Sequence, residues 1–74
     1  IRCNWESLHY LAKIEGVFEN IALALEYETE AAIINPDNID ILYHMGKFYQ
    51  QLYDYGKARN YYKKVFTLDN THLP

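Results

Sequence analysis

The most constraining feature of this sequence is a regular spacing of large and small residues between positions 39 and 68. The small residues Gly46 and Ala58 stand twelve positions apart. Large residues stand three or four positions before and after each of them, and further large residues lie one turn away from those, which places side chains on one face of an α-helix. These large residues are Leu42, Met45, Tyr49, Tyr55, Tyr62, Val65 and Leu68. Because small side chains let two helices approach while large ones fill the space beside them, the pattern predicts a packed helical pair.

This spacing resembles the tetratricopeptide repeat, a helix-turn-helix unit of 34 residues. Within residues 39–72 the matching positions are Leu42, Met45, Gly46, Tyr49, Tyr55, Ala58, Tyr62 and Val65. Two positions depart from the family pattern, since Tyr53 stands where the family has Gly and Asn70 where it has Pro. The resemblance implies an all-α fold, a right-handed α-solenoid of two hairpins with four antiparallel helices.

The residues before position 39 read as a first copy when the offset is 34. Leu42 then pairs with Leu8, and repeat one covers about residues 5–38. The same offset puts Glu15 and Glu28 at positions that should be apolar. Burying a carboxylate without a partner is costly, so this register carries two unfavourable positions.

An offset of 37 is the alternative, and it puts repeat one at about residues 2–38. It pairs Leu42 with Trp5 and Tyr53 with Gly16, which both fit the family well. The two registers differ by three residues, close to the 3.6 residues of one helical turn. A first repeat whose second helix is about one turn longer than usual would satisfy both, and we expect that arrangement.

Local capping and breaking signals divide the chain into four helices. Asn4 should cap the first, Gly16 should end it, and Asn20 should stand near the start of the second. Pro36 has no backbone donor and restricts the residue before it, so the second helix should stop near Ile34. The predicted helices cover roughly residues 5–16, 20–34, 39–52 and 55–68, with Asp37 or Asn38 capping the third.

The chain, residues 1–74, reads as a single domain made of two repeats of a longer array. Stacked repeats bury their apolar faces against neighbours, so about three or more are usually needed for stability. Tyr62, Val65 and Phe66 would normally contact a following repeat. We therefore expect further repeats of a parent chain, or a second copy of this one, to cover the ends.

Composition argues against several classes of partner. No apolar run approaches the roughly 18 residues of a membrane span, and no signal or transit peptide is visible. A single cysteine excludes an internal disulfide framework and favours a reducing, intracellular and cytoplasmic compartment. The net charge of -3 is unlike the basic footprint of a nucleic-acid binder. We expect neither nucleic acid nor a membrane as partner.

Catalytic and cofactor motifs are also missing from the sequence. There is no glycine-rich phosphate loop, and no Ser or Cys nucleophile has a suitably spaced His. His9 and His44 form no metal-ligand motif, and we expect them to be exposed or partly packed helix residues. The sequence predicts a protein that is not an enzyme and has no cofactor and no metal site.

The family resemblance also implies where a partner would bind. In tetratricopeptide repeats the first helix of each hairpin lines a concave groove. The corresponding residues are Asp40, Tyr43, His44, Lys47, Gln50 and Gln51 in the second copy, and Glu6, Tyr10 and Lys13 in both registers of the first. Each copy thus offers an acid, a tyrosine and a lysine about one turn apart. Tyrosine provides large contact area at low entropic cost, and lysine pairs with carboxylates of a bound peptide.

The leading functional hypothesis is a protein-interaction scaffold that holds a peptide or helical segment of another protein in this groove. An architectural role is the alternative, in which the repeats serve to stack or to self-associate. An RNA-processing helical repeat is a third hypothesis. Gly46 and Ala58 fit the protein-binding class better than the RNA-related one.

Overall fold

A computed structural model describes residues 4–69, which form four α-helices and no strand. The helices are α1 (Trp5–Val17), α2 (Ile21–Ile34), α3 (Ile39–Gln51) and α4 (Tyr55–Asp69). The all-α expectation is confirmed, and every helix end lies within one residue of its predicted position. Asn70, the departure from the family's proline, lies outside the described residues.

No helix within residues 4–69 combines the length and the apolar character that crossing a bilayer requires.

Asparagine side chains cap the N-termini of α1 and α3 in the same way. The Asn4 side-chain oxygen accepts a hydrogen bond from the Ser7 N–H at 2.8 Å. The Asn38 side-chain oxygen accepts one from the Ile41 N–H at 3.1 Å. Each bond satisfies an N–H group that the first turn of a helix leaves unpaired. The cap at Asn4 is confirmed, and Asn38 rather than its neighbour caps α3.

Both tight turns, between α1 and α2 and between α3 and α4, contain one residue in the left-handed region. Glu19 has a φ of 64° and Tyr53 has a φ of 65°. In each turn the next residue donates its N–H to a carbonyl in the last turn of the preceding helix, at 2.9 Å. Gly16 is the next-to-last residue of α1 and does not have a positive φ. The left-handed position of this turn, which favours glycine, is occupied by Glu19 instead.

The expected lengthening of the second helix is wrong. Helix α2 has 14 residues and α4 has 15, so an extra turn is absent from α2. Caps, left-handed turn residues and helix starts all recur at an offset of 34 residues. An offset of 34 puts Glu28 at a position that should be apolar. That residue is indeed buried, and it has a partner that the sequence pattern did not reveal.

Small side chains let the helices approach closely. Ala12 on α1 and Ala24 on α2 are fully buried in one core cluster, together with Leu25 and Phe48. A Cβ atom at Gly46 would lie 2.7 Å from the Tyr62 ring, so α4 packs directly on the backbone of α3. The helices α1 with α2, α3 with α4, and α2 with α3 are in contact.

A second core cluster joins three helices. It contains Leu8 from α1, Ala31 from α2, and Ile41 with Met45 from α3. By contrast, Ala58 is the single buried residue of α4. The core therefore lies among α1, α2 and α3, and α4 covers it from one side.

The left-handed turn residues generate a stability prediction. Replacing Glu19 with Gly should raise the free energy of unfolding by about 0.5–1 kcal/mol, because glycine reaches this φ without steric cost. The same change at exposed Glu26, inside α2, should lower the free energy of unfolding by about 1 kcal/mol. Urea unfolding of both variants checks this. Equal losses at the two positions would contradict the role assigned to the turn.

Candidate functional site

The carboxylate of Glu28, in the middle of α2, is fully buried at 0% exposure. Buried charged groups need a hydrogen-bonding partner, and His9 on α1 supplies it. The Nδ1 atom of His9 lies 2.8 Å from Oε1 and 3.0 Å from Oε2 of Glu28. Among the described residues no buried side-chain nitrogen or oxygen lacks a hydrogen bond. The pair thus links α1 to α2 through the interior.

His44 on α3 joins this pair to form a three-residue group, the His9–Glu28–His44 cluster. The His9 and His44 rings meet edge to face, with centroids 4.9 Å apart and an interplanar angle of 81°. One side-chain ligand atom from each of the three residues lies within 4.8 Å of the other two. Three helices therefore bring two imidazoles and a carboxylate to one point.

The orientation of His44 is fixed by its own backbone. Its Nδ1 atom lies 2.8 Å from the carbonyl oxygen of Asp40, one turn earlier in α3. A carbonyl oxygen only accepts, so Nδ1 carries the proton and donates it. The lone pair of the neutral ring is therefore on Nε2, the nitrogen left available to a ligand.

Burial controls the protonation of the His9–Glu28 pair. It raises the pKa of Glu28 to about 8, opposed by the charge of Lys13. It also lowers the pKa of His9, assisted by the charges of His44 and Lys13 and opposed by that of Asp40. Both directions favour a neutral pair at pH 7, in which the O–H of the Glu28 carboxyl group donates a hydrogen bond to Nδ1 of His9.

Four of the nine predicted groove residues line one cleft between α1 and α3. Lys13 comes from α1, and His44, Lys47 and Gln51 come from α3. The cleft has a volume of about 280 Å³, and its other lining residues are Gly16, Val17 and Phe48. The structure thus brings the two predicted lysines to a single surface.

Tyr43 and Gln50 are held by contacts within the fold. Lys47 Nζ lies 5.7 Å from the centroid of the Tyr43 ring, within the range of a cation–π interaction. The Tyr43 ring also lies against Tyr62 on α4, with centroids 5.9 Å apart. Gln50 accepts a hydrogen bond from the Tyr62 hydroxyl at 2.9 Å. Both predicted groove residues therefore contribute to packing between α3 and α4.

The remaining predicted groove residues lie outside the cleft. Glu6 and Asp40 are exposed near the starts of α1 and α3, and Tyr10 is 65% exposed. Asp40 contributes through its carbonyl group, which orients His44. The predicted acid, tyrosine and lysine of each helix are therefore not gathered into one pocket.

Sequence analysis missed the His9–Glu28 contact, although the 34-residue offset contains a signal for it. At that offset His9 corresponds to Tyr43 and Glu28 corresponds to Tyr62. Tyr43 and Tyr62 contact each other in the second helical pair, as His9 and Glu28 do in the first. A complementary polar pair at two positions that are aromatic in the other copy could have indicated the contact.

Comparison of the chain with models of protein families, with curated proteins and with solved structures finds no match. Two features of the described residues carry information about function. One is the cleft that contains Lys13 and Lys47, and the other is the His9–Glu28–His44 cluster.

The raised pKa of Glu28 predicts a pH-dependent stability. Between pH 7 and 8 the folded chain keeps the Glu28 proton that the unfolded chain, with a pKa near 4.5, has lost. The free energy of unfolding should fall as pH rises, by up to about 1.4 kcal/mol per pH unit. The lowered pKa of His9 acts in the opposite sense only below its ordinary value of 6.5.

Urea unfolding between pH 7 and 8, with EDTA present, measures this slope. The substitution Glu28→Gln keeps a neutral side chain of similar shape and should abolish the slope. Glu30→Gln changes an exposed carboxylate on the same helix and should leave the slope intact. A slope that persists in Glu28→Gln would show that another group titrates.

Proposed function

We propose that this chain is a scaffold of tetratricopeptide type, and that it binds a peptide or helical segment of another protein between α1 and α3. The 34-residue offset of helix starts, caps and turns supports a repeat built from two helical hairpins. Stacking of such hairpins into a right-handed solenoid would place α1 and α3 on the concave side.

The observation that carries this proposal is the position of Lys13 and Lys47 in the same cleft. They come from different helices, and neither forms an ion pair with another described residue. The exposed Val17 adds apolar surface beside them, and Phe48, which is buried, also lines the cleft. Two cations next to apolar surface suit a segment that presents carboxylates together with an apolar side chain.

Reversing both lysines, in the variant Lys13→Glu/Lys47→Glu, should weaken partner binding tenfold or more. Introducing two like charges opposite the carboxylates of a bound segment replaces attraction with repulsion. Acidic 12-residue peptides selected from a display library against the unmodified chain provide the probe. Fluorescence anisotropy measures their affinity for the chain and the variant, and far-UV circular dichroism checks that helicity is unchanged.

The matched control is Lys63→Glu/Lys64→Glu, which makes the same change in net charge on exposed positions of α4. It should bind the selected peptides within about threefold of the unmodified chain, because distant exposed charges are screened by salt. Equal losses of affinity in the two double variants would show that the change in net charge alone accounts for the effect. Unchanged affinity in Lys13→Glu/Lys47→Glu would show that the peptides do not bind in the cleft between α1 and α3.

A second candidate function is architectural, and an exposed apolar cleft on α4 favours it. This cleft has a volume of about 520 Å³. Its lining includes Tyr55, Ala58, Tyr62 and Phe66. The Phe66 side chain is 63% exposed there. Large exposed apolar surfaces mark contacts with other protein, which for a repeat include stacking on a further hairpin or on a second copy.

If this surface mediates self-association, sedimentation equilibrium should give an average mass that rises with protein concentration. Phe66→Asp should then remain monomeric, since it places a charge in the interface. Ile33→Asp changes another exposed apolar residue, on α2, and should still associate. A strictly monomeric, well-folded chain across the concentration series would exclude self-stacking.

A further inference from the structure

The His9–Glu28–His44 cluster consists of polar, metal-ligating side chains at a place where apolar side chains would be enough to pack the helices. Two imidazoles and a fully buried carboxylate meet where α1, α2 and α3 converge. In the second helical pair the positions equivalent to His9 and Glu28 are filled by two tyrosines in ring contact. The fold thus accommodates an aromatic pair at these positions, and the polar pair calls for a separate explanation.

We infer that His9, Glu28 and His44 bind a divalent metal ion of the zinc class. Zinc is held by imidazole nitrogens and carboxylate oxygens at about 2.0–2.2 Å, which puts the ligand atoms of a tetrahedral site about 3.4 Å apart. In the cluster one ligand atom of each residue already lies within 4.8 Å of the others. Rotations of the three side chains about their χ angles would bring these atoms to the spacing of the bound state.

The cluster also has the outer contact that a ligating histidine requires. Metal-bound histidines usually donate their second N–H to a carbonyl or carboxylate, which fixes the ring and its tautomer. His44 donates Nδ1–H to the carbonyl oxygen of Asp40 and keeps the Nε2 lone pair free. This ligand is pre-oriented by the backbone of α3.

Burial and access differ among the three residues in a way that suits a bound ion. Glu28 is fully buried, whereas the His9 side chain is 12% exposed and His44 lines the cleft between α1 and α3. An ion can therefore enter from the side of the histidines and meet the carboxylate from within. Three protein ligands leave one position of a tetrahedral ion open, and water from the cleft would occupy it.

The donor set selects a class of metal. Calcium and magnesium prefer sites made of oxygen ligands, and only one of these three residues supplies oxygen. Two imidazoles with one carboxylate suit zinc, cobalt, nickel or copper. Metal binding at the cluster does not require a partner between α1 and α3.

Trp5 provides a direct optical test. It is the single tryptophan of the sequence, and its ring centroid lies 6.3 Å from that of His9. Titration of the 74-residue chain with paramagnetic Co²⁺ should quench Trp5 fluorescence and saturate at one equivalent. Excess Zn²⁺, which does not quench, should displace Co²⁺ and restore the emission. Zn²⁺ should also raise the thermal unfolding midpoint increasingly with its concentration, because it binds the folded chain.

Three single variants, His9→Gln, Glu28→Gln and His44→Gln, should each weaken Co²⁺ and Zn²⁺ binding at least about tenfold. The control variants are Cys3→Ser and His72→Gln, which remove the one thiol and the third imidazole of the sequence. Both positions lie outside the described residues, and both variants should bind Co²⁺ and Zn²⁺ with full affinity. Far-UV circular dichroism checks folding. If either variant of the buried pair unfolds, the partly exposed His44→Gln decides the question.

Two results would overturn the inference. One is the absence of saturable quenching and of zinc-dependent stabilisation in the unmodified chain, which would leave His9–Glu28 as a hydrogen bond between helices only. The other is metal binding that survives His44→Gln, or that disappears in Cys3→Ser or His72→Gln, since either would place the ion elsewhere.

Discussion

The close approach of short helices is the constraint on which the rest of the structure depends. Helices of 13 to 15 residues are marginal in water, and packing must supply most of their stability. Ala12 and Ala24 allow the approach of α1 to α2, and Gly46 with Ala58 allows that of α3 to α4. Once the backbones are this near, the side chains one turn away are forced into contact. The His9–Glu28 and Tyr43–Tyr62 contacts arise in this way.

The two helical pairs use the same positions for different interactions. In the second pair Tyr43 and Tyr62 pack ring against ring, and both keep partial contact with solvent. In the first pair His9 and Glu28 form a hydrogen bond with the carboxyl group fully buried. A buried polar pair is weaker support for a fold than an apolar pair of similar volume. The first pair therefore gives up stability at a place where it gains ligand atoms.

Helix boundaries could be predicted from the sequence because they depend on residues near in the chain. Asn4, Asn38 and Pro36 act on the backbone within a few positions, and the helices begin and end where those residues require. The register of the first repeat stayed open between offsets of 34 and 37, because it depends on a partner far away in the sequence. Glu28 looked unfavourable in an interior position until the structure placed His9, 19 residues earlier, against it.

The candidate site was predictable only in part, for the same reason. The family resemblance placed Lys13 and Lys47 on one surface, and the cleft contains both. It also placed Tyr10 there, which lies outside the cleft, and it gave no role to His9. Spacing along a helix indicates which face a side chain occupies. It does not indicate what the neighbouring helix presents to that face, so the cluster of three helices could not be derived from periodicity.

The edge-to-face contact of His9 with His44 crosses from the first helical pair to the second. Lys13 lies one turn beyond His9 on α1, and Lys47 lies about one turn beyond His44 on α3. A change in the angle between the two helical pairs would therefore alter the separation of the two imidazoles and that of the two lysines together. The contact between the rings therefore lies next to the cleft that contains the lysines, and the packing of one hairpin on the other determines the geometry of both.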